Sequence, residues 1–263
     1  MCAIIGIMST RKSGLDKEQF GEFRKAWLRA EGRGRHACGW ILSDGKDLWF
    51  WKWGVPASRG QEFLPAFRPG IRFMLGHTRW ATSGSPEDNL NNHPIAIGEN
   101  GAELLGIHNG IITNKPELLN EHGWSASREV DTEIAFRLLP HYGPESRKAL
   151  AKIQGSANLA YCTTKKPCEF YLTRQDNPLT VRNGEGYRAF GSLPYYWGGL
   201  KGKDSDAPNH SLSTWTASGV KTVKFRKDMP APKFTSWRGA HEYTNDGWGF
   251  QGQATDDYYH GYQ

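Results

Sequence analysis

The sequence predicts an α+β fold in which helices and sheets stack as mixed layers. Short strand patterns dominate the first half of the chain, helical patterns follow, and strand patterns then return. The core must be filled largely by rings, because 11 tryptophans, 10 tyrosines and 12 phenylalanines accompany a mean hydropathy of −0.65. The 263 residues are enough for one large domain or two small ones.

The first elements follow from apolar spacing. Residues 3–8 are apolar apart from one glycine, which is typical of a buried strand. Apolar residues recur at helical spacing between Asp16 and Gly32 and predict an amphipathic helix. Two short strand patterns at 40–43 and 48–53 flank an Asp-Gly turn, so we expect a hairpin.

A long polar loop separates the next two strands. Strand patterns cover residues 71–76 and 103–108, and the stretch 83–100 between them is rich in Gly, Asn and Pro. Loops of this length in compact domains are commonly functional. The flanks of this loop are therefore candidates for a functional site.

Helices and further strands complete the predicted domain. Helical patterns lie at 115–121, 131–139 and 145–153, and strand patterns at 158–163, 169–173 and 179–182. The patterns weaken from about residue 201, and eight aromatic residues lie between Phe234 and Gln263. We predict a catalytic domain over 2–200 and an aromatic and glycine-rich extension over 201–263, which docks on a partner or is partly disordered.

Composition excludes several classes of protein. The longest apolar run, residues 1–8, is far shorter than the roughly 20 residues of a membrane span. Four cysteines are too few for a disulfide scaffold, and their spacing matches no zinc pattern, so we expect a cytoplasmic protein. The net charge of +6 contains no block of like charges; nucleic-acid binding is not predicted, although charge alone does not exclude it.

Cys2 is the residue that points most directly to chemistry. Initiator methionine is normally removed before a small residue, which would leave the Cys2 thiol beside a free α-amine. An α-amine has a reference pKa of roughly 7.7–8.0, so it can take the thiol proton directly or through water. Alternatively, Cys2 only begins a buried strand as a small apolar residue, and this position alone favours that interpretation.

Further motifs follow in a fixed order. They are Met-Cys-Ala-Ile-Ile-Gly-Ile at 1–7, Arg-Gly-Arg-His-Ala-Cys-Gly at 33–39, Gly-His-Thr-Arg-Trp-Ala-Thr at 76–82, Asn-Asn-His-Pro at 91–94, Ile-His-Asn-Gly-Ile-Ile-Thr-Asn at 107–114 and Val-Asp-Thr-Glu at 130–133. Together they resemble the class II glutamine amidotransferases, the N-terminal-nucleophile family whose glutaminase domain heads glucosamine-6-phosphate synthase and amidophosphoribosyltransferase. The resemblance spans about residues 2–190. It implies a four-layer αββα sandwich of two mostly antiparallel sheets between helices.

The resemblance implies L-glutamine as substrate and assigns its binding residues. Arg79 would hold the α-carboxylate through two parallel hydrogen bonds. Asp131 would hold the α-ammonium group, and it can also be the N-cap of a helix. Trp80 and Thr82 would line and close the glutamine loop, which excludes water and retains ammonia.

The implied reaction is acyl transfer without a metal or other cofactor. Cys2 would form a γ-glutamyl thioester and release ammonia, and water activated by the α-amine would then free glutamate. The side-chain amide of Asn109 and the backbone N–H of Gly110 would form the oxyanion hole. His77 and His108 are predicted to be structural. His-Asn-Gly alone is more often a hairpin turn, so the assignment depends on the order of the motifs.

Two departures and one absence qualify these expectations. Ala3 stands where the family usually has glycine, and an extra methyl group there predicts weaker glutaminase activity. Ser83 stands where glucosamine-6-phosphate synthase has histidine. The chain after residue 200 is too short for the domain that consumes ammonia, so we expect delivery to a separate synthetase or transferase. Two alternatives stay open: a binding or scaffold protein that has lost the reaction, and an N-terminal-nucleophile hydrolase of another amide.

Overall fold

Two antiparallel sheets packed face to face form the centre of the fold. The computed structural model describes residues 1–98 and 103–226. The strands are β1 (Ala3–Ser9), β2 (Ala37–Ser43), β3 (Leu48–Trp53), β4 (Phe73–Arg79), β5 (Ile95–Ile97), β6 (Leu104–Ile112), β7 (Gly155–Thr163), β8 (Phe170–Arg174), β9 (Thr180–Gly184), β10 (Tyr187–Gly191), β11 (Gly202–Asp206), β12 (Ser211–Thr216) and β13 (Gly219–Lys224). The first sheet has the order β11-β9-β10-β1-β4-β2-β3, and the second has the order β13-β12-β8-β7-β6-β5.

Helices cover the outer face of each sheet. They are α1 (Lys17–Ala30), α2 (Ala57–Gly60), α3 (Lys115–Glu121), α4 (Thr132–Tyr142) and α5 (Arg147–Lys152). A capping box starts α1: the Asp16 carboxylate accepts from Gln19 N at 2.8 Å, and the Gln19 side chain accepts from Asp16 N at 3.2 Å. Within the described ranges, no helix is both long enough and apolar enough to cross a membrane.

Successive side chains of β1 point alternately into two different hydrophobic cores. Ile5 and Ile7 point to the core that the first sheet shares with α1, whereas Ile4 and Met8 point to the core between the sheets. A third core lies between the second sheet and α4 with α5. These cores define four layers, so the predicted α+β sandwich of αββα type is confirmed.

The domain boundary predicted at residue 200 is wrong, because the fold continues beyond it. β11 pairs with β9 in the first sheet, and β12 pairs with β8 in the second. Trp215 of β12 is buried in the core between the sheets and stacks on Phe170 at 5.2 Å. The described domain therefore continues through β13. Residues 227–263 of the predicted extension lie outside the described residues.

Glu133 is a fully buried carboxylate that ties the start of α4 to the segment before it. It accepts from Ser127 N at 2.8 Å and from Ser127 Oγ at 2.7 Å, and it pairs with Lys115 at 3.0 Å and Arg137 at 3.2 Å. Burial alone would raise the pKa of Glu133, but the bonds from Ser127 and Lys115 outweigh it and lower the pKa to about 2. A carboxylate with a lowered pKa adds stability that is present above its unfolded value of about 4.3 and is lost as the pH falls towards 2.

Glu133→Gln is expected to lower the free energy of unfolding by about 3 kcal/mol at pH 7, because the cations and N–H donors around residue 133 lose their anion. The difference from the wild type should shrink as the pH falls below about 4.3. Urea unfolding at several pH values measures it. Glu121→Gln is the control, because Glu121 is half exposed and pairs with Lys152 at the surface. An equal loss in both variants, or a difference that does not depend on pH, would contradict the prediction.

Candidate active site

Cys2 lies at the beginning of β1, against the end of β4. Ala3 pairs with Thr78 across the two strands, which brings Cys2 next to Arg79 and Trp80. The Cys2 Sγ atom lies 3.6 Å from the carbonyl oxygen of Trp80. The Cys2 carbonyl accepts a hydrogen bond from Arg33 Nε at 3.0 Å. The backbone of Cys2 is thereby fixed while its thiol faces the loop that follows β4.

Charged groups surround the Cys2 thiol. Burial raises its pKa, the positive charges of the amino terminus and Arg79 lower it, and Asp131 raises it. Arg79, whose own pKa is lowered by burial, interacts with both Cys2 and Asp131. Arg79 and Asp131 therefore lie close enough to Cys2 for their charges to act on its thiol. The raised pKa leaves the resting thiol protonated near neutral pH, so a nearby base is needed to form the thiolate.

Arg79 is buried, and its guanidinium group holds the loop that follows β4. It donates to Asn92 Oδ1 at 2.9 Å and to the carbonyl oxygens of Ser83 and Gly84, the latter at 2.8 Å. These bonds engage three of the five N–H donors of a guanidinium group and leave two. A lysine has no planar fork and does not reproduce this arrangement.

The loop of residues 80–92 is anchored at several points. Lys52 of β3 donates to the Asn92 carbonyl at 2.8 Å, and the Asn92 side chain donates to Pro86 O at 2.7 Å. The Asn91 side chain donates to Glu129 Oε2 at 2.8 Å and accepts from Glu129 N at 3.1 Å. The loop is thus fastened both to the first sheet and to the segment that precedes α4.

Trp80 and Thr82, the two residues predicted to line and close the loop, differ in their surroundings. Trp80 is 46% exposed, and its ring packs on His36 with 4.6 Å between the centroids. His36 Nδ1 also accepts from Ala81 N at 3.0 Å, so the residues after β4 are held near the motif at 33–39. Thr82 is exposed, and its part in binding stays a prediction.

Asn109 and Gly110 lie near the end of β6, on the second sheet. Gly110 pairs with Ala157 of β7, and a Cβ atom on Gly110 would lie 2.0 Å from the carbonyl oxygen of Ser156. Only glycine fits at this position without displacing β7. Asn109 is buried, and its side-chain nitrogen donates to Ser192 Oγ at 3.2 Å. The Asn109 amide therefore has a defined orientation.

Asp131 connects α4 to the same end of β6. It occupies the N-cap position of α4, but its side chain makes no capping hydrogen bond. Instead, Asp131 Oδ2 accepts from Ile112 N at 2.6 Å, two residues beyond Gly110. This bond orients the carboxylate while leaving its side chain 26% exposed.

Three buried histidines lie beneath the site. His77 Nε2 is 2.9 Å from the carbonyl oxygen of His108, and Thr132 Oγ1 lies 2.8 Å from His108 Nδ1 and 3.0 Å from His93 Nε2. Burial lowers the pKa of all three, that of His77 to about 3. The rings are therefore neutral near pH 7 and serve as hydrogen-bonded links between elements, in agreement with the structural role predicted for His77 and His108.

Sequence reasoning missed Ser192, which follows β10. It is 1% exposed, and its hydroxyl oxygen lies 3.0 Å from Ile4 N and 3.2 Å from Asn109 Nδ2. It therefore touches both β1, which begins just after Cys2, and the predicted oxyanion residue Asn109. A single serine after a strand carries no sequence signal for such a role.

Comparison with curated proteins finds similar sequences. The chain is 30% identical over 241 residues to the isomerizing glutamine–fructose-6-phosphate aminotransferase of Corynebacterium diphtheriae, covering 86% of this chain and 38% of that protein. It is 33% identical over 196 residues to the enzyme of the same name from Thermococcus kodakarensis, covering 71% and 31%. The chain thus spans about a third of the length of these relatives. No protein-family model matches it.

Solved structures share the fold. The glutamine phosphoribosylpyrophosphate amidotransferase of B. subtilis superposes with a TM-score of 0.72 at 18% identity, covering 87% of this chain and 50% of that one. A glutamine aminotransferase class-II domain protein from Silicibacter pomeroyi gives a TM-score of 0.53 at 14% identity and is covered completely, against 86% of this chain. The fold is that of the N-terminal-nucleophile sandwich.

Proposed function

The chain carries a class II glutamine amidotransferase domain, and we propose that this domain is a glutaminase that releases ammonia from L-glutamine for an acceptor enzyme. The observation that carries the proposal is that Cys2 lies beside the buried cation Arg79 across the pairing of β1 with β4, and that the charges of Arg79 and Asp131 both act on its thiol. An α-amino acid carries one carboxylate and one ammonium group. The two charges of the site match them with opposite sign.

Substrate binding is proposed to use both charges. The α-carboxylate takes the place of one loop carbonyl on Arg79 Nη2 and binds through a parallel pair of N–H groups, because the two donors that the loop leaves over, Nε–H and one Nη1–H, point in different directions. Asp131, held by Ile112 N, accepts from the α-ammonium group. Because Arg79 also holds Ser83 and Gly84, the binding of the α-carboxylate is coupled to the conformation of the loop of residues 80–92. Trp80 and Thr82 are proposed to close over the bound substrate.

The chemical steps begin with proton transfer. After removal of Met1, the α-amine of Cys2 accepts the thiol proton, and the thiolate sulfur bonds to the side-chain amide carbon of glutamine. The carbonyl oxygen becomes an oxyanion, which accepts from the Asn109 amide and the Gly110 N–H. The C–N bond then breaks, and the proton held by the amine passes to the leaving nitrogen, which departs as ammonia. Water attacks the thioester, glutamate leaves and the thiol is restored.

An acceptor enzyme is the proposed partner. Ammonia in neutral water is mostly ammonium, which has no lone pair for attack, so direct transfer to a second active site preserves the nucleophile. We propose a separate synthetase or transferase as that acceptor. Trp80, which is nearly half exposed and whose carbonyl is next to Cys2, offers such a partner an aromatic surface at the site.

The test is to incubate the purified protein with L-glutamine, alone and with candidate acceptor enzymes, and to measure glutamate and ammonia. Without an acceptor, equal amounts of glutamate and ammonia are expected; with a functional acceptor, less free ammonia than glutamate is expected. The intact mass should lack Met1. A panel of γ-glutamyl peptides and acylated amines tests hydrolysis of other amides. The proposal fails if glutamine is not turned over in any combination, if another amide is strongly preferred, or if Met1 is retained.

A further inference from the structure

We propose that Ser192 is a positioning residue that fixes which way the Asn109 amide faces and thereby aims an N–H group at the oxyanion. This inference rests on the proposed glutaminase function. The hydroxyl of Ser192 bridges two elements that belong to different sheets. It accepts from Ile4 N of β1 at 3.0 Å and from Asn109 Nδ2 of β6 at 3.2 Å, and it donates to Ile4 O at 3.4 Å.

The hydrogen-bonding capacity of the hydroxyl selects one amide orientation. A serine hydroxyl has one donor and two acceptor positions. Ile4 N fills one acceptor position, the Asn109 nitrogen fills the other, and the proton is directed to Ile4 O. If the Asn109 amide turned by 180°, its oxygen would take the hydroxyl proton from Ile4 O, which keeps its bond from Ser192 N at 3.0 Å, and one acceptor position of the hydroxyl would stay empty. Ser192 and Asn109 are 1% and 3% exposed, so water does not fill that position, and the orientation that uses all three positions of the hydroxyl is favoured.

The orientation that Ser192 selects for the Asn109 amide determines which group faces the oxyanion. The amide nitrogen of Asn109 has two N–H groups, of which Ser192 uses one and leaves the second for substrate. In the turned orientation a carbonyl oxygen would lie near that place, and its negative end would repel the oxyanion. Ile4 is two residues after Cys2. The Ser192 hydroxyl, which bonds both Ile4 and Asn109, therefore fixes the position of the oxyanion donor relative to the strand that carries the nucleophile.

The test compares Ser192→Ala with a matched control, Ser43→Ala. Ser43 is also a buried serine of the first sheet, and its hydroxyl accepts from Gly45 N at 2.9 Å and donates to Pro167 O, outside the site. Ser192→Ala is expected to lower kcat by about 10- to 100-fold, less than the loss of a whole oxyanion donor. The KM for glutamine should change less than about twofold, because Ser192 does not touch the residues proposed to bind the α-groups. Ser43→Ala is expected to keep the wild-type kcat, and Ser192→Thr to recover part of it.

Two readouts separate positioning from a general structural role. The first is the affinity for the γ-aldehyde analogue of glutamine, which forms a tetrahedral adduct with a thiol: it should fall about as much as kcat in Ser192→Ala, while the affinity for glutamate stays unchanged. The second does not need turnover. NMR should show the Asn109 side-chain NH₂ protected from hydrogen exchange in the wild type and exchanging faster in Ser192→Ala.

The outcomes distinguish this inference from the proposed function. A wild-type protein that does not hydrolyse glutamine refutes the proposed function, and the Asn109 exchange rates then decide the orientation of the amide. Unchanged exchange in Ser192→Ala, or an unchanged kcat in an active protein, overturns the inference alone. An equal loss of affinity for the aldehyde and for glutamate also overturns it, because that result indicates general damage to the site.

Discussion

Cys2→Ala is expected to abolish the release of ammonia from glutamine, with a fall in kcat of at least roughly 10⁴-fold, as for nucleophile removal in other acyl-transfer hydrolases. No other described group takes its place beside Arg79 and Asp131. The affinity for glutamine should persist, because the α-carboxylate and α-ammonium partners are untouched. Turnover assays measure the first effect, and calorimetry with glutamine measures the second.

Cys168→Ala is the matched control for the nucleophile. Cys168 is also free but exposed, and its thiol donates to Gly45 O at 3.0 Å in the loop before β8. An electrophilic glutamine analogue should add one covalent label to the wild type and to Cys168→Ala, and none to Cys2→Ala. Cys38 and Cys162 are buried, and burial raises the pKa of Cys38 to about 12, so neither should react. Turnover by Cys2→Ala, or labelling at Cys168 instead, would refute the assignment of Cys2 as the nucleophile.

Sequence patterns predicted the helices that bury one face and the strands that are buried completely. The predicted strand at 3–8 and the helix after Asp16 match β1 and α1 within a few residues. β11 was missed because its five residues, Gly-Lys-Asp-Ser-Asp, are all exposed and have no apolar alternation. It forms because β9 offers an unpaired edge, and such pairing is not visible in a local pattern. The predicted boundary at residue 200 was therefore too early.

The candidate site was predictable to the extent that its residues lie in motifs. Cys2, Arg79 and Asp131 come from three distant motifs, and the structure brings them together. Ser192 belongs to no motif, because its role depends on the approach of β1 and β6 to the residue after β10. The structure also explains how Ala3 is accommodated where the family usually has glycine. The Ala3 methyl group is fully buried in the core next to α1, so it packs away from the space between the sheets. The interpretation of the chain as a scaffold protein therefore gains no support from Ala3.

Gly110→Ala is expected to damage both the fold and the reaction. The added Cβ would lie 2.0 Å from the carbonyl oxygen of Ser156, which is backbone of the paired strand β7 and is not free to rotate away. β6 and β7 must then separate locally. Such overpacking typically costs about 1–3 kcal/mol of the free energy of unfolding. Urea unfolding measures this loss.

The same substitution displaces the proposed oxyanion donor. The N–H of Gly110 is part of the backbone that has to move, so kcat for glutamine is expected to fall by about 10²-fold or more, with a smaller change in KM. Gly219→Ala is the control, because Gly219 also lies in a strand, β13, and a Cβ there meets nothing within 4 Å. It should leave stability and kcat nearly unchanged. If Gly110→Ala lost stability but kept its kcat at a temperature where it is folded, the Gly110 N–H would not be an oxyanion donor, and the Asn109 amide would have to stabilise the oxyanion without it.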